Sequence, residues 1–91
     1  MKIVIGTVQW GIKYGVSNHS GIPTDIEIEK ILNYANKNKI SFLDTAAAYG
    51  NSEKRIGKLS KGNFKIITKI KTLSDKESIK VELNKSINNL N

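Results

Sequence analysis

The sequence predicts an α/β fold with parallel strands, and three observations carry that expectation. Short apolar, β-rich runs recur at Ile3-Val4-Ile5, Ile40-Ser41-Phe42-Leu43-Asp44 and Phe64-Lys65-Ile66-Ile67-Thr68. A helix-type pattern separates each run from the next, so neighbouring strands need crossover connections and run parallel. The spacing is regular as well, with 24 positions from Ile40 to Phe64. Three βα units of this size are three-eighths of a (β/α)8 barrel, which typically needs ~250 residues.

Each element has its own local cause. Ile3-Val4-Ile5, ended by Gly6, reads as a strand buried on both faces. The stretch from Gly6 to Gly21 is rich in glycine but also holds Val8, Trp10, Ile12, Tyr14 and Val16, which marks a long functional loop and not a linker. Pro23-Thr24-Asp25-Ile26-Glu27 carries a capping box, with Thr24 as the cap and Glu27 three residues on. Ile28, Ile31, Leu32 and Ala35 then line one face of a helix ending near Asn36–Asn38. A short helix is expected near Ser52–Leu59. A second capping box at Ser74-Asp75-Lys76-Glu77 opens a last helix, whose apolar face would be Ile79, Leu83, Ile87 and Leu90.

Composition narrows the function. The 91 residues include no cysteine and one histidine, His19, so neither a disulfide framework nor a thiolate or multi-histidine metal site is available within the chain. The N-terminus lacks the apolar run of a signal peptide, and nothing approaches a membrane span. A cytoplasmic location is the default. The net charge of +7 falls wholly in residues 54–91. A basic half of this kind can signal a nucleic-acid partner. Arginine and aromatic residues, which such binders favour, are reduced there to Arg55 and Phe64, so the lysines read as a solvated surface and nucleic acid is disfavoured.

Ligands of parallel α/β folds sit at the carboxyl ends of the strands. Gly6-Thr7, Asp44, Tyr49 and Lys69 all fall there. Asp44 and Lys69 end neighbouring strands, which makes an ion pair natural. A tyrosine beside that pair would matter, because tyrosine is ordinarily a poor acid-base group, with a pKa of ~10. A lysine ammonium ~4 Å away stabilises a phenolate by ~4 kcal/mol at an effective dielectric of ~20, roughly three pK units before desolvation opposes it. Such a group could protonate a carbonyl oxygen while hydride reaches the carbon. The spacing alone also fits chance, and Lys65, Lys69 and Lys71 could simply be solvated lysines around a strand.

Phe42-Leu43-Asp44-Thr45-Ala46-Ala47-Ala48-Tyr49-Gly50-Asn51-Ser52-Glu53 closely resembles the Asp-Thr-Ala-x-x-Tyr-Gly-x-x-Glu signature of the aldo-keto reductases. Gly6-Thr7-Val8-Gln9-Trp10-Gly11 is similar to that family's first-strand exit, and Ile67-Thr68-Lys69 to its third-strand lysine motif. The wording from Gln9 to Gly15 resembles bacterial members from sugar and polysaccharide loci. The resemblance implies a (β/α)8 TIM barrel, of which residues 1–91 would be the three N-terminal βα units. It further implies NADP(H)-dependent reduction of an aldehyde or ketone.

By motif, Asp44 would orient the lysine, Tyr49 would be the general acid and Lys69 would tune it. Gly6, Thr7 and Asp44 would lie beside the nicotinamide, with Trp10 and Tyr49 towards the substrate. Trp10, Gln9 and Tyr14 are also compatible with plain loop packing. Glu53 fits either a cofactor contact or compensation of a helix dipole. The family's catalytic histidine follows a fourth strand, and His19 does not match its position. A non-catalytic truncated product, or a half-barrel associating with another chain through open sheet edges, is the alternative.

Overall fold

The computed structural model describes residues 2–15, 21–70 and 75–90. His19, Lys71 and Ser74 lie outside the described residues. The element order is β1 (Val4–Gly6), a single 3-10 turn (Val8–Trp10), α1 (Asp25–Lys37), β2 (Phe42–Asp44), α2 (Ser52–Leu59), β3 (Lys65–Ile67) and α3 (Lys76–Leu90). The three strands form one sheet in the order β1-β2-β3. Both pairings are parallel, as the α/β expectation requires.

The register divides the sheet into two unlike faces. Ile5, Leu43 and Ile66 stand in one row. They pack against a core of Trp10, Ile28, Leu32, Ile56 and Leu59 supplied by the 3-10 turn, α1 and α2. Period-two alternation places their neighbours on the other face, in the rows Val4-Phe42-Lys65 and Gly6-Asp44-Ile67. Among the described residues no helix covers that face. The sequence expectation that the first strand is buried on both sides is therefore corrected: Val4 is 45% exposed and Ile67 48%. On the open face Phe42 lies under two ammonium groups, with Lys2 Nζ 5.1 Å and Lys65 Nζ 5.7 Å from its ring centroid.

Helix α1 begins where its sequence predicts. The Thr24 hydroxyl accepts from the Glu27 backbone N–H at 3.2 Å, and the Glu27 carboxylate accepts from the Thr24 backbone N–H at 3.0 Å. The Thr24 backbone N–H first, and then the Thr24 hydroxyl, which donates to the same carboxylate oxygen at 3.0 Å, hold the Glu27 carboxyl below its ordinary pKa. Ile28, Leu32 and Ala35 are buried, whereas Ile31 sits at the rim of the stripe and is exposed.

Helix α3 departs further from expectation. Asp75 caps it, accepting from the Ser78 backbone N–H at 2.8 Å and from the Ser78 hydroxyl at 2.9 Å. Ile79, Leu83 and Ile87 are exposed, and Ser86 is the buried residue of the helix. The C-terminal end of the helix lies against α2, where a Cβ on Gly57 would overlap the Asn89 carbonyl oxygen. Leu90, the last residue of the expected face, is partly buried and packs against the core.

Candidate active site

The carboxyl ends of the strands gather Asp44, Tyr49 and Lys69 on the open side of the sheet. Leu43 points to the helices, so Asp44 points the other way. The strand ladder continues past β2 and β3, with Thr45 N–H donating to Ile67 O at 2.8 Å and Ala47 N–H to Lys69 O at 2.9 Å. Lys69 therefore stands two residues beyond Ile67 on the Asp44 face. Its ammonium meets Asp44 Oδ1 at 2.8 Å and lies 5.7 Å from the centroid of the Tyr49 ring. Both members of the ion pair remain partly exposed, with side chains at 49% and 38%. Among the described residues the Tyr49 hydroxyl has no hydrogen-bond partner, which leaves it free to donate to a ligand.

A buried hydroxyl chain fixes the backbone beneath these groups. The Ser52 hydroxyl lies 2.9 Å from Thr7 Oγ1 and 3.2 Å from Thr7 O, and 3.0 Å from Thr45 Oγ1. Its one hydrogen goes to Thr7, so Thr45 donates into Ser52. Thr7 in turn donates to the Asp44 carbonyl at 2.9 Å from Oγ1 and at 3.0 Å from its backbone N–H. Thr7 is 0% exposed, so its side chain holds Asp44 in place and has no surface to offer a ligand. Gly6, by contrast, has open space where a side chain would be, directly beside Asp44 in the sheet.

The loop carrying Tyr49 is set by backbone contact. A Cβ on Gly11 would overlap the Tyr49 carbonyl oxygen, and one on Gly50 would overlap Gly11 O. Gly50 has a φ of +55°, a conformation costly for residues with a side chain. The Tyr49 carbonyl also accepts from Ser52 N–H at 3.0 Å, which joins the loop to the start of α2.

Arg55 clamps the remaining wall. Its Nε and Nη2 reach Asp25 Oδ1 at 3.0 and 2.8 Å, Nη1 reaches Trp10 O at 2.8 Å, and Nη2 reaches Pro23 O at 2.7 Å. The Arg55 hydrogen bonds first, and the Lys58 ammonium second, hold the Asp25 carboxyl below its ordinary pKa. Trp10 itself is 4% exposed and belongs to the core, and the exposed Gln9 side chain donates to Tyr14 O at 2.9 Å within its own loop.

The sequence brings forward Asp44, Tyr49 and Lys69 together, with Gly6 adjacent. It gives no sign of the partners of Ser52 and Thr45. Arg55 could have been singled out as the sole arginine among fourteen lysines. Two cavities of about 300 and 320 Å³ lie elsewhere, one around Lys2, Lys39 and Phe42 at the opposite strand ends and one along α3. Asp44 and Lys69, both partly exposed, leave the candidate site open to solvent. Among the described residues no cluster of three or more histidine, cysteine or acidic side chains could hold a metal, and no helix is long and apolar enough to cross a membrane.

Comparison with known proteins agrees with this geometry. The model of the aldo/keto reductase family matches residues 2–91. Two solved structures from Pseudomonas aeruginosa, each assigned as an aldo-keto reductase, superpose on the chain. One gives a TM-score of 0.78 at 32% identity, covering 96% of this chain and 37% of its own. The other gives 0.76 at 29% identity, with 96% and 36% covered. No curated protein sequence matches. The chain thus spans little more than a third of the length of these structures, and its three βα units are those of an incomplete (β/α)8 barrel. With its motif residues gathered at the strand ends and its family model matched across residues 2–91, the chain belongs to the aldo/keto reductase family.

Proposed function

We propose that this chain contributes the Asp-Tyr-Lys part of a site that reduces an aldehyde or ketone to an alcohol with NADP(H). One observation carries the reading: the Lys69 ammonium bridges Asp44 Oδ1 at 2.8 Å and the face of Tyr49, whose hydroxyl is unpartnered among the described residues. Tyr49 would donate its proton to the carbonyl oxygen of the substrate. Lys69 would stabilise the phenolate left behind, and Asp44 would hold Lys69 in place. The bound nicotinamide would supply the hydride.

The residues present fit the ring end of such a cofactor, since Gly6 leaves the sheet uncovered beside Asp44. Lys69 is already paired, and the strand ends offer no cluster of free cations for the phosphates among the described residues. Cofactor affinity is therefore expected from parts of the barrel outside these three units. The test is a chimera in which residues 1–91 replace the matching segment of the 32%-identical Pseudomonas aeruginosa protein. NADPH oxidation with a panel of aldehydes is the expected result, together with no saturable NADPH binding at micromolar concentration by the 91-residue chain alone. A folded chimera without turnover on any carbonyl would overturn the reading, and tight NADPH binding by the short chain would overturn its division of labour.

A second reading concerns the short chain by itself. Its uncovered sheet face and two strand edges, with Val4 and Ile67 about half exposed, favour self-association. Size-exclusion chromatography is expected to show species larger than 10.1 kDa, shifted towards monomer by Ile67→Lys. A monomer at all concentrations would exclude it.

A further inference from the structure

We infer that Glu53 is a positioning residue for Lys69, acting through Thr68; this rests on the reading of Lys69 as part of a reductase site. An acidic residue in a first helical turn gains its dipole interaction at the surface, without burial. Glu53 is 3% exposed. Each carboxylate oxygen is taken by a different element: Oε2 accepts from the Thr68 hydroxyl at 2.6 Å, and Oε1 from the Ser86 hydroxyl of α3 at 3.0 Å. Burying a carboxylate is costly unless its lone pairs are met. Dipole compensation alone does not account for that cost.

The geometry of the segment after β3 gives the burial a purpose. Side chains alternate along an extended segment, so a Thr68 held towards the helices directs Lys69 to the opposite face. That face is where Asp44 and Tyr49 wait. Tyr49 and Glu53 also belong to one short segment, with the Tyr49 carbonyl bonded to Ser52 N–H. The same stretch of chain therefore presents the tyrosine on one side and, on the other, the anchor that aims the lysine at it. Lys69 and Tyr49 are set relative to each other by a link neither of them touches.

The test uses the 91-residue chain and the nuclear Overhauser contact between the Lys69 side-chain methylenes next to the ammonium and the Tyr49 ring, assigned by its loss in Lys69→Arg and Tyr49→Leu. Folding of each variant is read from the methyl shifts of the buried Leu43 and Ile56. Thr68→Val is expected to abolish the contact, and Thr68→Ser, which restores the hydroxyl, to recover it. Ser86→Ala removes the other hydroxyl from the same carboxylate and is expected to keep the contact. Glu53→Ala takes the acceptor away from the Thr68 hydroxyl and is expected, in the folded variant, to lose the contact as Thr68→Val does. A folded Thr68→Val or Glu53→Ala that retains the contact would overturn the inference, as would equal loss in Ser86→Ala. Because no cofactor or turnover enters the measurement, failure of the reductase reading would leave this result standing, and the reverse.

Discussion

Tyr49→Phe is expected to lower the rate of carbonyl reduction by the chimera by ~10²–10⁴-fold, the usual worth of a positioned proton donor. The substitution removes one hydroxyl from a ring held by the Gly11–Tyr49 backbone contact and the Ser52 N–H bond, so the loop has no reason to move. That hydroxyl has no partner among the described residues, and its loss strands no other polar group. The effect should therefore fall on kcat, with KM little changed. Lys69→Met is expected to be comparably severe, because the charge opposite the developing phenolate disappears and Asp44 loses its counter-ion at 2.8 Å. Single-turnover measurement of NADPH oxidation checks both. A Tyr49→Phe chimera within a few-fold of its parent would show that the proton comes from elsewhere.

The elements of this fold were legible because their causes are local. Thr24 and Glu27 are three residues apart, so the start of α1 could be read directly, and the observed α2 coincides with its expected bounds. The one-sidedness of the sheet was not legible. Ile5, Leu43 and Ile66 face the core, but Val4, Phe42 and Ile67 on the other face are just as apolar, so alternation carries no polarity signal. The α3 face was legible only in part: Leu90 packs against the core, whereas Ile79, Leu83 and Ile87 are exposed. Periodicity gives no weight to Gly57 and Ser86, which lie at the contact between α2 and α3.

The site divides in the same way. Asp44, Tyr49 and Lys69 lie at strand ends, where topology alone brings them together. What supports them is assembled across the chain. Ser52 reaches Thr7 over 45 positions, Arg55 reaches Asp25 over 30, and Glu53 reaches Ser86 over 33. No local pattern encodes such partners. A lone arginine or an acidic residue in a first turn is visible in the sequence, but its purpose appears only once the burial and the partner are known.

Gly11→Ala is expected to destabilise the chain by about 3 kcal/mol or more, near the upper range for inserting a methyl group into a filled site. That is a large share of the ~5–15 kcal/mol that holds a typical domain together. The cost does not come from backbone preference, since Gly11 has a φ of −121°, which any residue can adopt. It comes from contact: the new Cβ would overlap the Tyr49 carbonyl oxygen and press on the Ser52 backbone. Neither neighbour can yield cheaply, because Tyr49 O and Ser52 N–H are bonded to each other at 3.0 Å, and Ser52 anchors the buried hydroxyl chain. Gly6→Ala provides the control five positions away, where nothing lies within 4 Å of the added Cβ. There the change should stay within about 0.5 kcal/mol, as for an ordinary surface substitution. Urea denaturation of both variants, with the midpoint lowered and the slope unchanged for Gly11→Ala, makes the comparison. Equal stability of the two would mean that the first loop does not rest on the Tyr49 loop, and the placement of Tyr49 would then need another cause.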